Sequence, residues 1–229
     1  MTAGVDLDGE VRRVDPDRWL ASRFIADPAR RADVIALYDF DHQLTRASAL
    51  VSNPMAAEIR LVWWREAVAE IFSGIAVRRH PAAEALATAV RRGGLPREAF
   101  EAMIAARIGA LETRRFETVD ALNWARSAQG CLAGLAALSL GGNAVDAAPA
   151  GLVWGLTLLR RSGKAVGPAA DACLRDALSE ARRAARQLPA VAFPAALCAT
   201  LALADLSVGS PSELEKRWRL SWAALTGRL

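Results

Sequence analysis

The stretch from Asn53 to Phe72, N-P-M-A-A-E-I-R-L-V-W-W-R-E-A-V-A-E-I-F, restricts the fold of this chain more than any other. Asn53 suits an N-cap, because its side-chain oxygen accepts from the open backbone donors of a first turn. Pro54, at the first helical position, gives up only an N–H that would lack a partner anyway. Ile59, Trp63, Ala67 and Ile71 then recur every four residues as one apolar stripe, with Arg60, Arg65, Glu66 and Glu70 interleaved. Neighbouring side chains on a helix diverge by about 100°, so Trp63 and Trp64 cannot share a face. One meets the main core, and the other meets a second surface or a cavity. The plain reading is a buried helix edged by arginine. The sharper one is a helix lining a large apolar pocket with charged groups at its mouth.

The rest of the chain has the same periodicity. Runs of β-branched residues with period two are missing, 53% of the residues are apolar, and there is a single tyrosine. This pattern predicts an all-α protein, and 229 residues suffice to bury a substantial core. The net charge of +4 is carried almost wholly by arginines that alternate with acids along helices. That is the pattern of solvated faces; a nucleic-acid partner is not expected. Cys131, Cys173 and Cys198 are far apart in apolar sequence and read as buried thiols. The two histidines, His42 and His80, give no zinc spacing. The first ten residues are acidic, without the apolar run of a signal peptide, and the expected location is cytoplasmic. The nearest approach to a membrane span, Pro189 to Leu206, is interrupted by Pro194 and closed by Asp205; it reads as an interior helix.

In order, residues 1–14 are expected to be a flexible tail and residues 15–229 one helical domain. Asp17 to Ile25 makes a short helix with Trp19, Leu20, Phe24 and Ile25 as its apolar side. Asp27-Pro28 caps the next helix, which runs to about Leu50. His80-Pro81 opens another, stopped by Gly93-Gly94, and Pro96 begins a helix with the stripe Phe100, Met103, Ile104 and Leu111. A long apolar helix runs from Leu122 through Leu140, where Gly130, Ala133, Gly134 and Ala137 let a neighbour approach closely. Helices follow over Gly151–Arg161, Pro168–Leu188 and the apolar segment after Pro189. A last helix opens with the capping box Ser210-Pro211-Ser212-Glu213, with Pro211 at the first position. Its stripe of Leu214, Trp218, Trp222, Leu225 and Leu229 is expected to pack on the bundle. The alternative is a peripheral membrane helix, because Lys216, Arg217 and Arg219 flank the tryptophans.

Three stretches together resemble the squalene/phytoene synthase superfamily. Ala36-Leu37-Tyr38-Asp39-Phe40 is similar to that family's A-L-Y-A-F. Glu58 to Ala67, E-I-R-L-V-W-W-R-E-A, is similar to its bacterial E-I-R-L-Q-W-W-R-E-A. Trp124-Ala125-Arg126-Ser127-Ala128-Gln129-Gly130 stands where the family has Y-A-x-x-x-A-G. The resemblance implies a single isoprenoid-synthase-like helical bundle around a central apolar cavity. Active members join two prenyl diphosphates head to head, using two aspartate-rich motifs whose carboxylates hold Mg²⁺ against the leaving pyrophosphate. Here the first motif's aspartates would fall near Thr45, Arg46 and Ala49, and none is acidic. Asp39 and Asp41 lie earlier and, two residues apart, point to different helix faces. The second motif's I-L-R-D reads Leu158-Leu159-Arg160-Arg161.

These losses resemble a non-catalytic branch that includes a mitochondrial complex I assembly factor with a phytoene-synthase-like domain. Its A-F-N-x-E-L-A-R is matched by Phe40-Asp41-His42-Gln43-Leu44-Thr45-Arg46, with Gln43 for the glutamate and Asp41 for the asparagine. Two functions stay open. One is a non-catalytic protein that binds an isoprenoid or other lipid, or assembles a membrane or respiratory complex, peripheral at the inner membrane and without a cofactor. The other is an active, Mg²⁺-dependent prenyltransferase making squalene or phytoene from farnesyl or geranylgeranyl diphosphate. The residues placed at a cavity wall or an anionic head group are Arg60, Trp63, Trp64, Arg65, Gly130 and Arg160; no catalytic or metal ligand is assigned.

Overall fold

Short polar residues set several helix starts. In the computed structural model, which describes residues 6–49, 54–165, 167–202, 204 and 211–229, Asp6 accepts from the Gly9 N–H (2.9 Å) and opens α1 (Leu7–Val14). Asp15 accepts from the Arg18 N–H (3.1 Å) and opens α2 (Pro16–Ser22). Asp27 takes the Ala29 N–H (2.8 Å) at the start of α3 (Pro28–Ala49). α4 (Pro54–Ser73) is the tryptophan-bearing stretch; its expected Asn53 cap lies outside the described residues. α5 (Pro81–Gly93) ends where Gly94 adopts φ +58°, the left-handed cap expected of the glycine pair. α6 (Arg97–Gly109), α7 (Thr118–Ala125), a π-helical turn (Arg126–Gly130) and α8 (Cys131–Ser139) follow. Asn143 caps α9 (Ala144–Arg161) through the Val145 N–H (3.3 Å), and α10 is Pro168–Ala185. A 3₁₀ segment (Phe193–Leu201) and α11 (Glu213–Thr226) complete the chain. No strand occurs among the described residues, so the chain is all-α.

Several expectations need correction. Residues 7–14, expected in a flexible tail, are helical. Eight residues with one fully buried side chain, Val11, cannot hold a helix alone. Asp8 ties α1 to α2 by accepting from the Trp19 indole (2.9 Å) and from Arg23 (2.5 Å). α2 buries Asp17, Arg18, Ala21 and Ser22 and leaves Trp19 and Leu20 half-exposed, the reverse of its apolar pattern. α9 starts seven residues before the expected Gly151 and carries Pro149 inside it. The apolar segment after Pro189 is 3₁₀ rather than α-helical, and Pro211 precedes the Ser212 cap instead of opening α11. Cys198 is buried, but Cys131 and Cys173 are only half-buried.

α3 is the hub of the first half, packing on α1, α2, α4, α5, α6 and α8. Leu37, Phe40 and Leu44 are fully buried there, and the Phe40 ring meets Trp64 (5.5 Å) and Phe100 (5.7 Å) edge-on. α9 plays the same part for α7, α8, α10 and the 3₁₀ segment. The close approach expected along the small residues of the 122–140 run is made by α9: a Cβ at Gly130 would lie 3.3 Å from the Ala148 carbonyl, and one at Gly134 3.1 Å from Ala144 Cβ. The tightest point is Gly151, where a Cβ would collide with the Gln129 carbonyl.

Candidate functional site

The polar side of α2 brings Arg18 into the centre of the bundle, against Asp41 of α3, Arg107 of α6 and Gln129 of the π-turn. Arg18 Nη1 donates to Asp41 Oδ2 (3.0 Å) and Asp15 Oδ2 (3.1 Å), and its Nη2 donates to Gln129 Oε1. Arg107 Nη2 donates to Asp41 Oδ1 (2.6 Å), while Gln129 Nε2 reaches both Asp41 oxygens (3.2 and 3.1 Å). All four side chains are buried. Burial alone pushes the Asp41 carboxyl upward; the Arg107 and Arg18 guanidiniums and the Gln129 and Arg107 hydrogen bonds outweigh it and hold the group below the usual carboxylate range. Arg18 also lies over the Tyr38 ring and Arg107 over Trp124. The local wide turn that interrupts the α7–α8 run is what presents Gln129; such π-turns recur at functional positions.

At the cluster itself, charged side chains stand among the apolar ones that the resemblance implies. A cavity of about 10 Å³, lined by Arg18, Tyr38, Gln129, Trp154 and Cys198 among others, lies beside the cluster, room for about one water. Charged groups meet there because α2 delivers the Arg18 guanidinium, and Asp41 and Asp15 balance it and Arg107. A second buried carboxylate repeats the pattern. Asp17 accepts from Arg161 Nη1 (2.9 Å) and pairs with Lys216 Nζ (2.9 Å). Arg161, at the position where the resembling motif has an aspartate, also covers the Trp154 ring at 4.8 Å.

The residues assigned from sequence scatter over four places. Arg60, Trp63 and Trp64 come together in a 510 Å³ groove between α3 and α4, with Gln43, Arg46, Ala47, Ile59 and His80. Trp64 is buried and Trp63 half-buried, so the two tryptophans divide between core and groove as the helix geometry requires. The stripe itself is corrected: Ile59 is exposed and Trp63 half-buried, and the buried face is Ala57, Leu61, Trp64, Ala67, Val68 and Ile71. His80 stands edge-on to both indoles (5.4 and 5.3 Å), and Arg78, anchored on Glu70 at 2.5 Å, lies over Trp63. Beneath the groove, Asp39 is fully buried and accepts from Gln43 Nε2 (3.3 Å); burial pushes its carboxyl up, against the pull of that hydrogen bond. Arg65 points to solvent on the outer side of α4 and joins no site. Gly130 serves helix contact in the π-turn. Arg160 sits apart, bound to Asp171 (3.0 Å), in a 410 Å³ groove with Arg115, Phe116, Leu156 and Pro168.

Sequence reasoning missed Arg18, Arg107, Gln129 and Asp17. Two carried a signal. Arg107 falls four residues after Met103 and three after Ile104, continuing a buried stripe with a charge, and Gln129 is a lone amide entering an Ala/Gly-rich apolar run.

A Mg²⁺ cluster does not fit these residues. Among the described residues no three His, Cys, Asp or Glu side chains are grouped to hold a metal ion. Of the buried carboxylates, Asp41 and Asp17 already have cationic partners, while Asp39 accepts from Gln43. Thr45 and Arg46, near the first motif's expected aspartates, are exposed.

Comparison with known proteins agrees with the architecture. The profile of the squalene/phytoene synthase family matches residues 11–165. The crystal structure of squalene synthase HpnC from Alicyclobacillus acidocaldarius superposes with a TM-score of 0.68 at 17% identity, covering 97% of this chain and 96% of that one. At that identity the likeness is one of fold. No curated protein matches the chain.

Proposed function

The chain belongs to the squalene/phytoene synthase family, and from that premise we propose that it is a non-catalytic member that binds an isoprenoid or other lipid, serving as a lipid-binding or respiratory-complex assembly protein at the inner membrane. The observation that carries this reading is the engagement of two buried carboxylates by two cations each: Asp41 by Arg18 and Arg107, and Asp17 by Arg161 and Lys216. A diphosphate leaves only when its charge is neutralised, and hard divalent cations need free carboxylate oxygens to be held beside it. Releasing Asp41 for that task would strand the buried Arg107 guanidinium and leave Arg18 with Asp15 alone, at a cost of about 3–5 kcal/mol. The α3–α4 groove suits binding without chemistry. Trp63 and Ile59 supply apolar wall, and the exposed Arg46 and Arg60 supply charge for an anionic head group. An assembly role rests on the Phe40–Arg46 motif, which resembles the assembly-factor branch.

Incubation with labelled farnesyl or geranylgeranyl diphosphate, Mg²⁺ and a reductant tests the proposal. The expected result is no pyrophosphate from well-folded protein. Chelator-sensitive release would overturn it in favour of the active prenyltransferase, the reading favoured by family membership alone. Binding of farnesyl diphosphate without Mg²⁺ is expected to weaken in Trp63→Ala and in Arg60→Glu.

A further inference from the structure

We propose that the outward face of α11 docks on an anionic lipid bilayer, an inference independent of any ligand in the α3–α4 groove. Leu214, Trp218, Trp222 and Leu225 recur at helical spacing and would ordinarily be the face buried against the bundle. The structure turns them out, with exposures of 79%, 68%, 59% and 84%. The helix is nonetheless held by its other side. Leu220 and Ala223 are buried, α11 packs on the 3₁₀ segment, and Lys216 reaches back to Asp17 at 2.9 Å. Docking onto the bundle is thus complete without the stripe, and the Trp218 and Trp222 rings stack on each other in the open at 6.1 Å. Exposed apolar residues scattered singly are ordinary; four contiguous large ones on one helix face are not.

The charges around the stripe identify the occupant. At about 100° per residue, Arg217 borders one edge of it and Arg219 the other, while Arg228 is exposed just past the Gly227 end of the helix. Arg182, at the end of α10, lies beside the end of α11, its Nε donating to the Leu229 carbonyl (3.0 Å), and Arg183 and Arg186 on the same helix end are exposed. Both acids of α11 are already engaged, Glu213 by Lys216 (2.8 Å) and Glu215 by Arg219 (2.8 Å). A second copy applied face to face would bring one arginine-bordered edge of the stripe against another, and like charges repel. A bilayer offers the opposite arrangement. Indoles rest at headgroup depth, leucines enter the acyl boundary, and guanidiniums reach lipid phosphates on flexible stems. No helix among the described residues is long and apolar enough to cross a membrane, so the contact proposed is peripheral.

Sedimentation of the full chain with vesicles provides the test, using phosphatidylcholine alone and phosphatidylcholine with about 30 mol% phosphatidylglycerol. Binding is expected to the anionic vesicles only and to weaken as salt rises. Trp218→Ser/Trp222→Ser and, separately, Arg217→Glu/Arg228→Glu should each lower the partition coefficient at least about tenfold. All four positions are exposed, so circular dichroism should show unchanged folding. Equal binding by wild type and both variants would overturn the proposal, as would no binding to anionic vesicles. A dimer that the tryptophan variant dissociates, without vesicle binding, would also overturn it, in favour of a second copy on this face.

Discussion

Asp41→Asn is the most direct test of whether the central cluster behaves as a closed ionic unit. The substitution keeps the shape but removes the only charge that both Arg18 (3.0 Å) and Arg107 (2.6 Å) contact there. Two buried guanidiniums are left, one of them still near Asp15 at 3.1 Å. Breaking a buried pair from one side costs about 3–5 kcal/mol, a large part of the roughly 5–15 kcal/mol that holds a domain folded. With a urea dependence of about 3 kcal/mol/M, the unfolding midpoint followed by circular dichroism should fall by more than about 1 M, with an unchanged slope. Replacing Arg18, Asp41, Arg107 and Gln129 together by Met, Leu, Met and Leu should recover much of that loss, since the charge left behind is the partly exposed Asp15 carboxylate alone. Acid adds a signature. The folded carboxyl titrates below its unfolded value, so its contribution is present above the unfolded pKa, about 3.9, and is lost as pH falls through the lower folded value. The gap between wild type and variant should hold from neutrality to about pH 4 and close below it. A midpoint shift under about 0.3 M, or a joint replacement costing as much as the summed single ones, would refute the reasoning.

Asp39 should behave in the opposite sense. Its folded pKa is raised by burial, so its favourable contribution is present below the unfolded pKa and lost as pH rises through the folded one. Asp39→Asn is therefore expected to stabilise the protein at pH 7 and to make no difference near pH 3, in urea titrations at the two pH values. Gly151→Ala should lower the melting temperature by several degrees, because its Cβ must push α9 off the Gln129 carbonyl at about 1–3 kcal/mol. Gly109→Ala, where a Cβ meets nothing within 4 Å, should be neutral or slightly stabilising in the same calorimetric scan.

The helices and their ends were legible because they are local. Asp27 and Gly94 each act on backbone groups a few residues away, and the spacing of Leu174, Ala177, Leu178 and Ala181 marks the buried side of α10 without reference to anything else. The W-W-R-E-A motif and its neighbours also placed the chain in its family, which the profile over residues 11–165 bears out. Less legible was which side of a short or mixed helix turns inward. α2 buries Asp17 and Arg18 against its own pattern, and α11 buries Leu220 and Ala223 while its larger stripe faces out.

The sequence by itself determined that this chain is all-α, where most of its helices begin and stop, and that acidic residues are missing from the positions the family resemblance marks. Only the tertiary structure decided that Arg18, Asp41, Arg107 and Gln129 meet, across separations of 23, 66, 88 and 111 residues. Periodicity and capping report interactions within a turn or two of the chain. A buried charge is tolerable only beside partners that other helices bring to it, and that information belongs to packing, not to any local stretch.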